Sequence, residues 1–219
     1  MTIRHHPGDS LLMTYGAGSL SDGISLIVAS HASRCVQCRN RIAEAEMIGG
    51  ALLDQASPVE MQFRTMNSMM ERLDDDDLEE PSSKSDRREI DNEIPSPLFA
   101  YLNSPLDDLH WKFMAPGIRH LQISLDSGRN GTVRMVKIAP GISIPSHSHK
   151  GMELSLVLRG SYQDETGSFH TYDVSDLDHE TTHQPVADER MGCICLIATD
   201  APLLYKSVLG RMLQRFTGI

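Results

Sequence analysis

The sequence lacks any long apolar run. The longest apolar stretches, such as residues 24–29 and 154–158, are far shorter than the roughly 20 residues that a helix needs to span a bilayer. The N-terminus also has no apolar core of a signal peptide, since it begins Met-Thr-Ile-Arg-His-His. These absences predict a cytoplasmic protein that does not enter a membrane.

Cysteine is scarce, and the four that occur fall into two close pairs, Cys35 with Cys38 and Cys193 with Cys195. In a cytoplasmic chain, close cysteine pairs are more often metal ligands or redox groups than structural disulfides. The sequence therefore predicts metal or redox chemistry at these positions.

Basic residues are under-represented in the N-terminal part of the chain. Residues 1–80 contain six Lys/Arg against thirteen Asp/Glu, in a chain of net charge −10. Because binding to phosphate backbones depends on Lys and Arg, this imbalance argues against a direct nucleic-acid partner. It suits a basic protein partner, although an acidic surface that only favours solubility explains it equally well.

The composition changes near residue 74. Residues 74–77 are four consecutive aspartates, and the stretch up to about residue 97 holds three prolines and almost no large apolar side chains. Such a segment cannot bury enough apolar surface to offset the entropy of ordering its backbone. The predicted organisation is a domain at 1–75, a linker at 76–98 and a second domain at 99–219.

Before the linker, apolar residues recur with helical spacing, as Ile24, Ile27 and Val28 illustrate. This pattern predicts a small helical bundle. The expected helices are 9–17, capped by Asp9 or Ser10; 21 to about 31, capped by Ser21; 36 to about 53; and a fourth after Pro58, with a broad apolar face between residues 61 and 73.

After the linker, short apolar runs are bounded by Gly, Asp or Pro, which is typical of an antiparallel sandwich or barrel. The expected strands are 132–138, 153–158, 167–174 and 191–198.

The sharpest motif of the N-terminal domain joins His31, Cys35 and Cys38. A tight turn entering a helix can aim both sulfurs at one ion, and His31 at the end of the preceding helix can face the same point. A structural zinc site needs a fourth ligand, for which we prefer His6 over its neighbour His5. We therefore predict zinc at these four positions, crosslinking a domain too short to be stable unaided. The alternatives are a redox cysteine pair and two buried, inert cysteines.

The second motif, G-x5-H-x-H-x3-E-x6-G, runs from residue 141 to residue 160. His147 and His149 are two residues apart and share one face of a strand, and Glu153 returns from the next strand. With His183 as a more distant fourth ligand, these residues predict a second metal site. A cluster of surface histidines is the alternative, and His179, His170, Asp178 and Glu180 are the alternatives for the fourth ligand.

Both motifs resemble those of known families. The His6, His31, Cys35 and Cys38 pattern, with Leu-Leu-Met-Thr-Tyr-Gly-Ala-Gly-Ser-Leu at 11–20, resembles the zinc-binding domain of bacterial anti-sigma factors. The second motif resembles the first cupin motif at every defined position. The second cupin motif is only partly kept, since His183 lacks the usual Pro-x-Gly before it and Asn after it.

In this order, and followed by Cys-Ile-Cys-Leu-Ile-Ala-Thr-Asp-Ala-Pro at 193–202, the two halves resemble the ChrR family of anti-sigma factors. The resemblance implies a multi-domain α + β fold, in which a small zinc-bound helical bundle precedes an antiparallel β-barrel of the cupin type.

The resemblance also implies a function. The helices would hold a group IV (extracytoplasmic function) sigma factor away from core RNA polymerase, and the N-terminal half would suffice for inhibition. The cupin would be needed to release the sigma factor in response to singlet oxygen and related oxidants. The sigma-binding surface would include the exposed part of the apolar face at 61–73, for which core packing is the alternative.

Other interpretations remain open for parts of the chain. The cupin site accepts zinc, manganese, iron or nickel, and with an open metal position it would suit a dioxygenase-like enzyme. Cys193 and Cys195 are either core residues or thiols that respond to oxidants. A DNA-binding zinc finger is the weakest alternative because the N-terminal domain is acidic.

Overall fold

The computed structural model describes residues 2–60, 63–73, 93–102, 104–125, 132–178, 180–200 and 203–205. Within these ranges, the side chains of residues 63–65, 149 and 203–205 lie outside the described part.

Three helices lie close to where the periodicity predicts them: α1 (Asp9–Gly16), α2 (Asp22–Ala32) and α3 (Val36–Asp54). Ser21 is the N-cap of α2 as expected, whereas the N-cap of α1 is Gly8. Asp9 therefore lies in the first turn of α1, where its negative charge complements the helix dipole.

Two further helices depart from expectation. Helix α4 (Phe63–Leu73) begins later than Pro58, and residues 57–60 are not helical. Helix α5 (Ser96–Leu102) overlaps the end of the predicted linker, with Pro97 in its first turn. Ile94 and Leu98 are completely buried, and this burial explains why the chain is ordered here. The division at 1–75, 76–98 and 99–219 stays a prediction.

The described residues from 112 onward form antiparallel strands. The expected strands at 132–138 and 191–198 are present, the strand expected from 153 continues to residue 164, and the one expected at 167–174 is two strands joined by a turn. The strands are β1 (Lys112–Ala115), β2 (Ile118–Ile123), β3 (Thr132–Ile138), β4 (His147–His149), β5 (Glu153–Asp164), β6 (Gly167–His170), β7 (Val174–Leu177), β8 (Thr182–His183), β9 (Val186–Ala187), β10 (Cys193–Thr199) and β11 (Leu203–Tyr205).

The strands form two sheets. The larger runs β1-β2-β3-β10-β5-β6, with β7 and β9 also paired to β5, and the smaller runs β11-β4-β8. The expected barrel is therefore a jelly-roll-like pair of sheets rather than one closed sheet. The turn between β4 and β5 carries the chain from the smaller sheet to the larger.

The larger sheet is covered on both faces. Leu154, Leu156 and Leu196 point to one face and join a core with the apolar residues of α1 and α2, whereas Val157 and Cys195 point to the other face. Helix α2 packs directly on this sheet. No helix in the described ranges is long and apolar enough to cross a membrane.

Candidate metal centres

The structure brings the four predicted donors of the N-terminal half together. His6 precedes α1, His31 lies in the last turn of α2, Cys35 is the N-cap of α3, and Cys38 lies in its first turn. Their donor atoms all lie within 4.8 Å of one another, and we call these residues the helical cluster. His5, the alternative to His6, instead directs its ring Nδ1 to Asp173, 3.3 Å away.

The spacing of these atoms matches a tetrahedral ion. For zinc–ligand bonds of about 2.0–2.3 Å, a regular tetrahedron places two nitrogens about 3.3 Å apart and a nitrogen and a sulfur about 3.5 Å apart. His6 Nδ1 lies 3.3 Å from His31 Nε2 and 3.5 Å from the Sγ atoms of both Cys35 and Cys38. The distance from His31 Nε2 to Cys38 Sγ is 3.2 Å. The donors therefore fit a metal of this size.

Burial determines which protonation states the donors of the helical cluster adopt without a metal. Burial lowers the pKa of His31 to about 4, so its imidazole is neutral and can act as a ligand. Burial, with the neighbouring Cys35, raises the pKa of Cys38 to about 12. In the metal-free protein Cys38 is therefore a thiol, and a bound cation would stabilise the thiolate that coordination requires.

A second group of donors lies at the face of the larger sheet that carries Val157 and Cys195, opposite the face that packs on the helices. We call this the inner face and the group the sheet cluster. It consists of His147 in β4, Glu153 in β5 and His183 in β8, all buried, with donor atoms within 4.8 Å of one another. His147 and His183 are register partners across the smaller sheet. The predicted ligand His149 lies in β4, but its side chain is outside the described part, and so is the alternative His179.

The ring orientations in the sheet cluster suit a cation. The Nδ1–H group of His147 donates to the Pro145 carbonyl at 2.9 Å, and that of His183 donates to Asp164 Oδ2 at 2.8 Å. The two Nε2 atoms then face each other, 3.1 Å apart, with their lone pairs directed together. Metal-bound histidines commonly donate their other ring nitrogen in this way, so the donor set fits a metal.

The electrostatics of the sheet cluster also favour a bound cation. Burial, then the neighbouring His183, lowers the pKa of His147 to about 4. Burial raises the pKa of Glu153 to about 7, although His183, Ser155 and Arg134 oppose this shift. A cation would offset the cost of burying the carboxylate in its charged form.

The sheet cluster opens into a cavity of about 80 Å³. Its wall is mostly apolar and includes Ile118, Val136 and Ile197, together with the buried Arg134. Cys195 also lines this cavity.

Cys193 and Cys195 point to the same inner face and are both buried. Their Sγ atoms are 3.2 Å apart, and their hydrogen bond, together with burial, raises the pKa of Cys195 well above its usual value. Cys195 is therefore a thiol in this structure, and thiols react with oxidants far more slowly than thiolates do.

Asp164 is a residue beside the sheet cluster that periodicity does not predict. It lies eleven residues after Glu153, and an odd spacing along a regular strand directs two side chains to opposite faces. The pairing of β5 with β10 shifts at Leu158, since Ile194 pairs with Arg159 and Cys195 with Val157. This β-bulge restores Asp164 to the inner face, beside His183.

The two sheets form a jelly-roll of the cupin type, and the sheet cluster lies on their inner face. The helical cluster lies among the N-terminal helices. The protein is therefore of the cupin type and has two candidate metal centres. The protein-family model described as the ChrR cupin-like domain matches residues 103–202 of this chain. The anti-sigma-E factor ChrR of Cereibacter sphaeroides is 40% identical over 216 residues, which cover 99% of each chain. The crystal structure of Rhodobacter sphaeroides SigE in complex with the anti-sigma ChrR matches with a TM-score of 0.78 and 38% identity, over 91% of this chain and 100% of that chain.

The chain therefore belongs to the ChrR family of anti-sigma factors, and the family predicted from its motifs is confirmed.

Proposed function

We propose that this protein is an anti-sigma factor that binds a group IV (extracytoplasmic function) sigma factor through its helical domain and keeps it from core RNA polymerase. The observation that carries the proposal is the set of exposed apolar side chains on α3 and on α4, which we call the exposed surface, taken together with the family. Because sigma factors act with RNA polymerase, the proposal includes a cytoplasmic location.

The α3 part of the exposed surface lies where this helix leaves the core. Helix α3 is anchored by Cys38 and Ile42, which are buried, but its second half projects into solvent. Large exposed apolar patches mark interaction sites. Each side chain of this surface is at least half exposed: Met47, Ile48, Leu52 and Leu53 on α3, and Met66, Met69, Met70 and Leu73 on α4. Core packing, the alternative for the face at 61–73, does not apply to its described members.

Zinc is the proposed metal of the helical cluster, with His6, His31, Cys35 and Cys38 as ligands. Two imidazoles and two thiols at tetrahedral spacing are the ligands of a closed structural zinc site. Zinc there supplies a crosslink between the segment before α1, the end of α2 and the start of α3. Those residues in turn set the direction in which α3 leaves the core.

The sheet cluster is the second proposed metal site, with His147, Glu153 and His183 as ligands and His149 as the fourth. Histidine and carboxylate ligands suit zinc, manganese, iron or nickel. We propose that the cupin domain controls release of the sigma factor on an oxidative signal. Such a signal must change the relative stability of the bound and released states.

A regulator also accords better with the relatives than a dioxygenase-like cupin enzyme does, because both whole-chain matches carry the name of an anti-sigma protein.

The test is binding of the full-length protein to a cognate group IV sigma factor, measured by calorimetry. A double substitution, Met69→Glu with Leu73→Glu, is expected to weaken binding by at least about tenfold, because a charge at a buried interface position costs more than about 1.4 kcal/mol. The matched control is Met191→Glu, a cupin-domain methionine that is 71% exposed. Equal affinities for all three proteins would refute the proposed surface.

A further inference from the structure

The imidazole of His31 and the segment that carries His6 are both held by the cupin domain, at the turn between β6 and β7. We call residues 170–174 the Tyr172 turn. His31 is completely buried, and its Nδ1–H group donates to the carbonyl oxygen of Tyr172 at 2.9 Å. This bond leaves the lone pair of His31 Nε2 directed at the cluster.

Tyr172 is itself held in an unusual conformation. Its φ is 73°, the only positive φ outside glycine in the described part of the chain, and such a conformation costs about 1 kcal/mol or more. The amide of Tyr172 donates to the Val157 carbonyl at 2.7 Å, and its hydroxyl donates to the Glu93 carbonyl at 3.0 Å. The guanidinium of Arg34, near the end of α2, lies over its ring, 5.3 Å from the centroid.

Asp173 connects the same turn to the segment that carries His6. Its side chain is 1% exposed, and its carboxylate accepts the backbone N–H groups of Arg4 at 2.7 Å and His5 at 3.0 Å. It also accepts the N–H of His170 within the turn, at 2.9 Å. The N–H of Val174 donates back to the His5 carbonyl at 3.1 Å. His6 therefore follows a residue whose backbone is bonded to the cupin in both directions.

We infer that the Tyr172 turn is part of the helical metal centre: Tyr172 positions His31 and Asp173 positions His6, so that metal affinity in the helical domain depends on the cupin. The inference rests on the proposed metal site of the helical cluster. The thiol ligands Cys35 and Cys38 come from the start of α3, so the cupin supports the two histidine ligands, through the His31 ring and through the backbone before His6.

The turn is also joined to the sheet cluster through β5. Val157, whose carbonyl holds Tyr172, lies four residues after Glu153 in the same strand. Glu153 pairs with Leu177 of β7, and Leu156 pairs with Val174 at the edge of the turn. A change that displaces β5 or β7 therefore moves the groups that orient His31 and His6. By linkage, loss of metal from the helical cluster must loosen the turn to the same degree in free energy.

The first test measures Co²⁺ affinity of the full-length protein by absorption. The thiolate-to-cobalt charge-transfer band reports the helical cluster, because the sheet cluster consists of His and Glu. Asp173→Asn is expected to lower this affinity about 10- to 100-fold, the usual effect of removing a group that supports a ligand. The control is Asp188→Asn, which alters a carboxylate that accepts the N–H groups of Arg190 and Met191 in another cupin turn.

Unchanged affinity in Asp173→Asn would overturn the inference, as would an equal loss in Asp188→Asn. Absence of the charge-transfer band in the wild-type protein would instead refute the proposed metal site. If Asp173→Asn does not fold, hydrogen exchange decides the question. Cys35→Ser is expected to speed exchange of the His5 and Val174 amides relative to wild type, whereas equal exchange would overturn the inference.

Discussion

Gly23 offers a direct measure of how closely the helical domain packs on the cupin. A Cβ atom at this position in α2 would lie 2.5 Å from Val133 Cγ2 and 3.4 Å from Ala198 Cβ. Val133 is 2% exposed and Ala198 is 1% exposed, so neither side chain has free space to enter. Gly23→Ala therefore inserts a methyl group into a closed contact, which costs about 1–3 kcal/mol.

The helix itself opposes part of this loss, since replacing glycine by alanine inside a helix gains about 1 kcal/mol. The net expectation is a loss of up to about 2 kcal/mol, which would lower the urea midpoint of the full-length protein by up to several tenths of a molar. The control is Gly50→Ala in α3, where the added Cβ has nothing within 4 Å. Its midpoint is expected to be unchanged or higher, and a Gly23→Ala protein at least as stable as Gly50→Ala would refute the packing.

Three further expectations concern the metal centres. Cys35→Ala should lower the zinc content of the purified protein by about one equivalent in elemental analysis, whereas Cys193→Ala should leave it unchanged. Asp164→Asn should weaken metal binding at the sheet cluster about 10- to 100-fold in a chelator competition, and Asp188→Asn should not. Because the pKa of Cys38 is raised to about 12 in the metal-free protein, binding must release its proton, and affinity should fall by at least about tenfold for each unit by which the pH is lowered; a pH-independent affinity would show that Cys38 is not a ligand.

The spacing of apolar and metal-binding residues along short stretches of sequence predicted the elements and the cluster that neighbouring residues in the chain form. The apolar spacing of Ile24, Ile27 and Val28 identified α2 because that face packs on the larger sheet. The short apolar run at 132–138 likewise identified β3, because side chains on both faces of this strand are buried. The donors of the helical cluster could be named from spacing because three of them lie within eight residues of one another.

Features that depend on distant contacts could not be predicted in this way. The bulge at Leu158, which turns Asp164 inward, arises from pairing with β10. Tyr172 meets His31 across 141 positions in the chain, and nothing in the local sequence of the turn signals that contact. Helix α5 was missed because Pro95 and Pro97 resemble linker residues, while Ile94 and Leu98 become core residues only against the folded chain.

Inhibition of transcription tests the proposed function most directly. The measurement is run-off transcription by core RNA polymerase and a cognate group IV sigma factor, with the full-length protein added before the core enzyme. An equimolar amount of the wild-type protein is expected to suppress the transcript, and the variant with both Cys35→Ala and Cys38→Ala should fail to do so. Transcription that continues unchanged with the zinc-loaded wild-type protein would contradict the anti-sigma function.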